Sequence, residues 1–275
     1  NLLGDFRYAS KKDIKMQGGE EIRKKIFSPG GDLFNRLSCT RNVILQIGNF
    51  MRIIQGLTTL IEVIEKQLTN ILMYDKKREE DILNESIIIA LERLNVCLEA
   101  GNPGPQRKYW FKDGKAIFDI FHTDQYALFL YLLSNTIYKQ FNETSLATRI
   151  YVLNKMFHSI DVYFEVELPR IFGFGHPLGT ILGRATYSDY FGVGQRCTVG
   201  NNNGIYPNLS EHVTMLAGST IIGKSIIGTN CIISSNTYIK DQDVPDNTIV
   251  FGNTPNLIFK ENNLTFCRDK WRLKK

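Results

Sequence analysis

The histidines are the side chains of this chain best suited to proton transfer near neutral pH. An unperturbed imidazole titrates near pH 6.5, so it can serve as a general base without a large change in its pKa. His122 and His158 lie in segments of helical pattern and are expected to be core or helix-surface residues. The candidate bases are therefore His176, which precedes a proline, and His212. Asp189 offers a carboxylate that could orient either imidazole.

The cysteines predict neither a disulfide framework nor a zinc site. There are 5, an odd number, widely spread and without a C-x-x-C pair. Such usage is typical of a protein kept in a reducing cytoplasm. We expect a cytoplasmic protein with no bound metal.

Composition narrows the class of protein further. The chain has 275 residues, a formal charge of +5 and 43% hydrophobic residues, which is typical of a globular protein. This mild basic excess permits a phosphate-bearing ligand but does not indicate a nucleic-acid partner. No apolar run reaches the roughly 18 residues that a membrane span requires.

The elements that must position these side chains are indicated by a repeat. An apolar residue recurs every six positions in two registers, Ile181, Tyr187, Val193 and Val199, then Leu209, Met215, Ile221, Ile227, Ile233 and Ile239. Four residues after most of them stands a small residue: Ala185, Cys197, Val213, Ser219, Ser225, Cys231 and Thr237. A period of six fits neither a helix nor a plain strand, but it fits a short strand followed by a tight corner. Three such sides make one triangular coil, and stacked coils bury each other's faces.

The register breaks once, between Val199 and Leu209. The inserted residues 200–208 are rich in turn formers, which predicts a loop that leaves the coil. Such loops commonly build a binding face, and a surface excursion without function is the other interpretation.

The preceding residues predict helices. Apolar residues at helical spacing mark segments 41–74, 78–100, 123–141 and 145–166, with Thr123 and Asp124 as cap candidates for the third. The first segment is one helix or two, with Gly48 and Gly56 as weak points. Residues 106–121 are expected to be a loop with short extended pieces. The predicted organisation is α+β: a loosely ordered segment 1–40, a helical domain 41–170, a β-helix 171–258 and a basic tail 259–275.

These motifs resemble a known family. The repeat, the pairs His176-Pro177 and Gly183-Arg184, the segment 206–223 and the closing residues 244–255 are similar to hexapeptide-repeat acyltransferases of the left-handed β-helix type. The branch most similar is the serine O-acetyltransferase-like one, which also places a helical domain before its β-helix. The resemblance implies a left-handed coil, acetyl-CoA as donor and a small-molecule acceptor with a hydroxyl. It also implies a homotrimer with active sites between subunits, and a further pairing of trimers.

Moving an acetyl group from a thioester to a hydroxyl requires a general base, donors for the developing oxyanion and a groove for the donor's long arm. It requires no covalent nucleophile. Cys197 and Cys231, at small-residue positions of the repeat, are therefore expected to serve packing.

The chain departs from the serine enzymes where their functional side chains stand. Asp189 matches their dyad aspartate, whereas Tyr190 falls on the catalytic histidine and Tyr206 on a second active-site histidine. Phe174 falls on their substrate-binding aspartate. Losing one carboxylate and two imidazoles predicts a less charged acceptor, such as a sugar hydroxyl, with Tyr190 and Tyr206 binding it.

The base is then His176, His212 or no histidine at all. His212 stands at the same offset from its apolar repeat residue as Tyr190. If the inserted loop preserves the side of the triangle, its ring stacks one coil, about 4.8 Å, above Tyr190.

The donor is expected at the next corners of the coil. Ala217-Gly218-Ser219 matches the family's Gly-Ala-Gly stretch, which contacts the pantetheine arm of CoA, and Ser234-Ser235 occupies the equivalent turn one coil later. Lys240 is the nearest cation for a CoA phosphate, and a solvated lysine is an equal interpretation.

The combined hypothesis is a cytoplasmic acetyl-CoA-dependent O-acetyltransferase that acts on a sugar or sugar-nucleotide in surface-polysaccharide biosynthesis. The alternatives are a serine O-acetyltransferase with a rearranged site and a non-catalytic trimeric β-helix scaffold.

Overall fold

The structure, a computed structural model, describes residues 51–101 and 110–263. The expected segment 1–40 and most of the basic tail lie outside these ranges. Within them, no helix is both long and apolar enough to cross a bilayer.

A helical region comes first. Its helices are α1 (Leu57–Ile71), α2 (Lys76–Ala100), α3 (Thr123–Phe141) and α4 (Thr144–His158). A small sheet of order β1-β3-β2 accompanies them, formed by β1 (Met51–Ile53), β2 (Phe111–Lys112) and β3 (Lys115–Phe118). The second and third predicted helices and the extended pieces before α3 are confirmed.

Two helix predictions were wrong at their ends. Of the first predicted segment, residues 41–50 lie outside the described ranges; residues 51–53 form strand β1 rather than helix, and α1 begins at Leu57 after Gly56, a predicted weak point, which has φ +81°. The fourth ends at His158, where Ser159 takes a left-handed φ of +52°. The predicted cap of α3 was also wrong, because its N-cap is His122 and no side chain caps it.

Helix α3 forms the centre of the helical region. Every residue from Asp124 to Ile137 is buried, which is expected of a helix that is covered on all sides. It packs against α2 and α4. Two of its buried polar residues donate to carbonyl groups, Asn135 Nδ2 to Phe164 O at 2.8 Å and Ser134 Oγ to Tyr131 O at 2.9 Å.

A parallel β-solenoid follows, which confirms the predicted α+β class. Its strands stack on three faces, each pairing with the strand one coil away. The first face contains β4 (Phe172–Phe174), β7 (Phe191–Val193), β10 (Thr214–Met215), β13 (Ile232–Ile233) and β15 (Thr248–Asn253). The second contains β5 (Ile181–Leu182), β8 (Thr198–Gly200), β11 (Thr220–Ile222) and β14 (Tyr238–Lys240). The third contains β6 (Thr186–Tyr187), β9 (Asn208–Leu209) and β12 (Ile226–Ile227). Strand β16 (Asn256–Glu261) closes the solenoid as an antiparallel hairpin on β15.

The six-residue repeat is the core of this solenoid. Nine of its ten apolar positions are buried, and the exception is Ile181, which is 47% exposed. Leu182 takes the inward position instead and pairs with Val199 one coil away. The small residues from Cys197 to Thr237 named above are buried as predicted.

The corners of the coil are held by residues in the left-handed conformation. Gly179, Arg196, Gly218 and Asn236 stack between the first and second faces, with φ between +54° and +75°. We call this the Gly218 corner. Between the third and first faces, Tyr190, His212, Asn230 and Asn247 stack in the same way, and we call this the His212 corner. Within each corner, the amide of one residue donates to a carbonyl of the coil below, as His212 N does to Asp189 O at 3.1 Å.

The inserted loop leaves the coil as predicted. Asn203 and Gly204 both have positive φ between the paired residues Asn202 and Ile205, the arrangement of a type I′ turn. Asn202 Nδ2 donates to Asp241 Oδ2 at 2.5 Å, which ties the loop to the corner two coils above its base.

Candidate active site

A cluster of side chains suited to proton transfer lies at the His212 corner. The rings of Tyr190 and His212 stack with centroids 4.3 Å apart and planes inclined by 3°. The predicted stacking of these two residues on consecutive coils is therefore confirmed. Because both backbones are left-handed, with φ of +68° and +61°, the two side chains leave the coil in the same direction.

The surroundings of His212 favour the neutral imidazole. Its Nδ1 is buried and has no hydrogen-bond partner among residues 51–101 and 110–263. Burial lowers the pKa of His212 below its usual value, and the charges of Glu211 and Asp189 oppose that effect in part. An unprotonated imidazole at neutral pH is what a general base requires.

Asp189 lies beside this stack and is itself held in place. Its Oδ1 accepts a hydrogen bond of 2.9 Å from the amide of Ile171. The amide of Tyr190 donates to Ile171 O at 2.7 Å, so the same corner is joined twice to the residue before β4. The carboxylate is thereby fixed at a position from which its charge acts on His212.

His176 lies at a different corner. Phe174 and Leu182 are eight positions apart where the next coil has six, and His176 belongs to this longer turn near the Gly218 corner. Its side chain is 83% exposed, and its Nδ1 lies 3.9 Å from Oδ2 of the buried Asp124. Asp189 contacts Ile171 before strand β4, whereas His176 follows that strand, so about 10 Å of extended chain separates the two residues within one chain. The structure does not bring His176 and Asp189 together.

A polar groove lies on the third face, before the His212 corner. Its volume is about 340 Å³, and it is lined by Glu165, Glu167, Arg184, Thr186, Tyr206 and Asn208 together with apolar neighbours. Arg184 Nη2 donates to Glu165 Oε2 at 2.7 Å. The groove includes Tyr206, one of the two predicted substrate-binding tyrosines, whereas Tyr190 lies at the corner beyond it.

The residues expected to bind the donor are only partly accessible. Ser219 and Ser234 are 0% and 7% exposed, so their side chains serve the core rather than a ligand. Ser235 and Lys240 are exposed, and Ala217 and Gly218 are half-buried. The amide of Ala217 donates to no acceptor in the described part of the chain. A Cβ on Gly218 would lie 2.4 Å from Asn236 Oδ1, so a larger residue at position 218 requires the Asn236 side chain to move.

Within residues 51–101 and 110–263, no group of three or more His, Cys, Asp or Glu side chains is arranged to hold a metal ion. Phe174, which was predicted to fall on the family's substrate-binding aspartate, is buried in the coil.

The groove contains residues to which the sequence assigned no role. Glu165 and Glu167 come from the segment between α4 and β4, which was expected to be helical as far as residue 166. Arg184 was noted only as part of a motif. Alternation of buried and exposed residues around Tyr187 and Leu209 is the signal that could have placed Thr186 and Asn208 on one outer face.

Comparison with known proteins gives one consistent relationship. No protein-family model matches the chain. Two curated relatives, serine acetyltransferases from two strains of Staphylococcus epidermidis, are each 25% identical over 153 residues, which is 50% of this chain and 65% of theirs. The chain therefore matches slightly less than two thirds of the length of these relatives.

Solved structures share the fold. The serine acetyltransferase from Brucella abortus superimposes with a TM-score of 0.53 at 19% identity, covering 67% of this chain and 77% of that one. The serine acetyltransferase from Neisseria gonorrhoeae gives 0.56 at 15% identity, covering 68% and 73%. A serine acetyltransferase in complex with CoA gives 0.51 at 18% identity, covering 84% and 85%. The resemblance to hexapeptide-repeat acyltransferases of the serine O-acetyltransferase-like branch is thus confirmed.

Proposed function

We propose that this protein is an acetyl-CoA-dependent O-acetyltransferase whose acceptor is a hydroxyl of a sugar or sugar-nucleotide. The observation that carries the proposal is the match, in both sequence and solenoid fold, to serine acetyltransferases, two of them solved with CoA. The proposed setting is surface-polysaccharide biosynthesis in the cytoplasm, by a homotrimer with a further pairing of trimers.

The His212 corner supplies the proton chemistry. Neutral His212 takes the proton of the acceptor hydroxyl as its oxygen attacks the acetyl carbonyl. The new ester C–O bond forms, the thioester C–S bond breaks, and the proton passes from the imidazolium to the departing thiolate. Since Nδ1 is closed to solvent, the transfer uses Nε2. Asp189 favours the imidazolium that forms, and Tyr190 holds the ring in its plane.

The Gly218 corner is proposed to hold the donor. The open amide of Ala217, with Gly218 and the exposed Ser235, offers backbone donors and acceptors along which an extended pantetheine arm can lie. Lys240 is the proposed phosphate contact. The buried Ser219 and Ser234 support the turns.

Several substitutions favour a sugar hydroxyl over serine. A free amino acid presents an ammonium and a carboxylate, and a site for it needs charged partners. Phe174, Tyr190 and Tyr206 replace one carboxylate and two imidazoles of the serine enzymes. Serine with a rearranged site remains the second candidate, because serine acetyltransferases are the relatives found.

Thiol release from acetyl-CoA tests the proposal. We expect CoA to be released in the presence of sugars or nucleotide sugars and not of L-serine. His212→Gln should lower kcat by about 10²–10⁴, the usual contribution of a general base. His176→Ala is the matched control and should retain activity.

The other outcomes are decisive. Loss of activity in His176→Ala with activity kept in His212→Gln would move the base to His176. Release of CoA with L-serine and with no sugar would identify the protein as a serine O-acetyltransferase. If the protein neither turns over acetyl-CoA nor binds CoA, the remaining interpretation is the non-catalytic trimeric scaffold.

A further inference from the structure

We infer that the polar groove on the third face is an anchoring subsite for the acceptor, and that it selects acceptors longer than one sugar ring. The inference rests on the proposed function, because it takes His212 as the place where the acceptor hydroxyl reacts. The anchoring subsite is defined by Glu165, Arg184, Thr186, Tyr206 and Asn208.

The chemistry of the groove fits a polyhydroxylated ligand. Carboxylate, guanidinium and amide groups are planar, and each can bond two neighbouring hydroxyls. Tyr206 adds an aromatic ring, whose apolar body and polar tip suit the mixed surface of a sugar. A cavity with a few convergent polar groups is the usual form of a small-molecule site.

The groove is built before a ligand arrives. Arg184 is held by its ion pair with Glu165 and by the ring of Tyr163, 5.9 Å away. Glu167 is paired with Lys139 of helix α3. The Tyr206 ring closes the other side, because a Cβ on Gly183 would lie 3.4 Å from its Cε1. Thr186 and Asn208 are exposed and face outward, because the next residue on each strand, Tyr187 or Leu209, points into the core.

The distance from the groove to His212 sets the size of the acceptor. The groove lies at the start of the third face and His212 lies past its end: the chain is extended from Pro207 to Ser210, and the corner begins at Glu211. At about 3.3 Å per residue, the extended part alone spans about 10 Å. Ser188 and Ser210, both half-buried and outward-facing, line the path between the groove and His212. A molecule as small as L-serine or a single sugar cannot reach both ends, whereas a disaccharide or a sugar carrying a linked group can.

The test compares acceptors of increasing length. The probes are mono-, di- and trisaccharides of hexoses, N-acetylhexosamines and uronic acids, nucleotide sugars, and L-serine, each with acetyl-CoA. We expect kcat/KM to rise at least tenfold from monosaccharides to the best longer acceptor. Thr186→Ala and Asn208→Ala should raise KM for that acceptor several-fold and leave kcat and the KM for acetyl-CoA unchanged. Thr220→Ala, at the matching strand position on the second face, is the control and should change neither constant.

Binding without the donor separates this inference from the proposed function. Saturation-transfer NMR with the same saccharides should give signals that are lost in Asn208→Ala and kept in Thr220→Ala. If the protein turns over and the groove variants have the same kcat and KM as the wild type, the subsite is overturned and the acetyltransferase stands. If saccharide binding is lost in the groove variants but no protein releases thiol from acetyl-CoA, the subsite stands and the acetyltransferase is overturned. Equal turnover of a monosaccharide and every longer acceptor, or no saccharide binding at all, would also overturn the subsite.

Discussion

At the scale of single residues, the His212 corner shows how a solenoid can build a reactive side chain on a rigid support. The sequence resemblance predicts that Tyr190 stands where the serine enzymes carry a histidine, and the imidazole of His212 lies one coil above it. The flat stack of the two rings excludes solvent from one face of His212. Because desolvation opposes charge, the imidazole stays unprotonated at neutral pH.

This environment predicts the pH dependence of the reaction. The pKa of His212 is lowered, so the neutral base persists to a pH below the usual imidazole value. Activity should therefore be flat from pH 7 to 8 and fall on acidification, with a midpoint below pH 6.5. Asp189→Asn removes a charge that favours the imidazolium, so the midpoint should shift to still lower pH. The measurement is kcat/KM from pH 5 to 8.5 for both proteins.

The asparagine variant includes its own structural control. An asparagine Oδ1 can still accept the hydrogen bond from Ile171 N, so the fold of this corner should be kept. A midpoint that moves upward in the variant, or does not move, would show that Asp189 does not act on the titrating group.

At the scale of elements, stacked coils place residues with the same offset in the repeat directly above one another. The ring-on-ring contact of Tyr190 and His212 could be predicted because each stands three residues after an inward apolar residue. The polar groove could not, because Glu165 reaches the third face from a segment outside the repeat. Sequence periodicity locates residues within the solenoid and says nothing about what is folded against it.

The errors have physical reasons of the same kind. Ile181 and Leu182 are both apolar, so a slip of one residue leaves the pattern intact while exchanging which side chain points inward. The fourth helix was extended too far because apolar residues continue past His158. There they alternate, with Ile160, Val162, Phe164 and Val166 all buried, which is the period of extended chain rather than of a helix.

The inward ladder predicts where the solenoid is most sensitive. Ile221 is fully buried at the middle of the repeat, whereas Ile226 on the next strand is 52% exposed. Ile221→Ala removes buried methylene groups and leaves a cavity, so the free energy of unfolding should fall by about 2–5 kcal/mol. Ile226→Ala, the same substitution at the surface, should cost about 0.5 kcal/mol or less. Urea unfolding measures both, and similar costs would contradict the assigned ladder.

At the scale of the whole molecule, the helices and the solenoid share one core. Residues 51–101 and 110–263 belong to a single compact unit. Tyr131 of helix α3 is central to it: its hydroxyl donates to Val166 O at 2.7 Å and accepts from Leu168 N at 3.0 Å. Its ring meets Phe172 of the first solenoid strand edge-on, with centroids 5.6 Å apart. Burial raises the pKa of Tyr131, so the hydroxyl remains a donor.

Removing that single hydroxyl should therefore weaken the joint between helices and solenoid. Tyr131→Phe keeps the ring and leaves a buried carbonyl and a buried amide without their partner, at a cost of about 1–3 kcal/mol in the free energy of unfolding. Tyr138→Phe on the same helix is the control, because the described residues offer its hydroxyl no hydrogen bond, and its cost should be close to zero. Hydrogen exchange in urea should show α3 and the first-face strands β4 and β7 losing protection together in Tyr131→Phe. If β4 and β7 keep wild-type protection while α3 opens, the solenoid is stable by itself and the shared core does not couple the two parts.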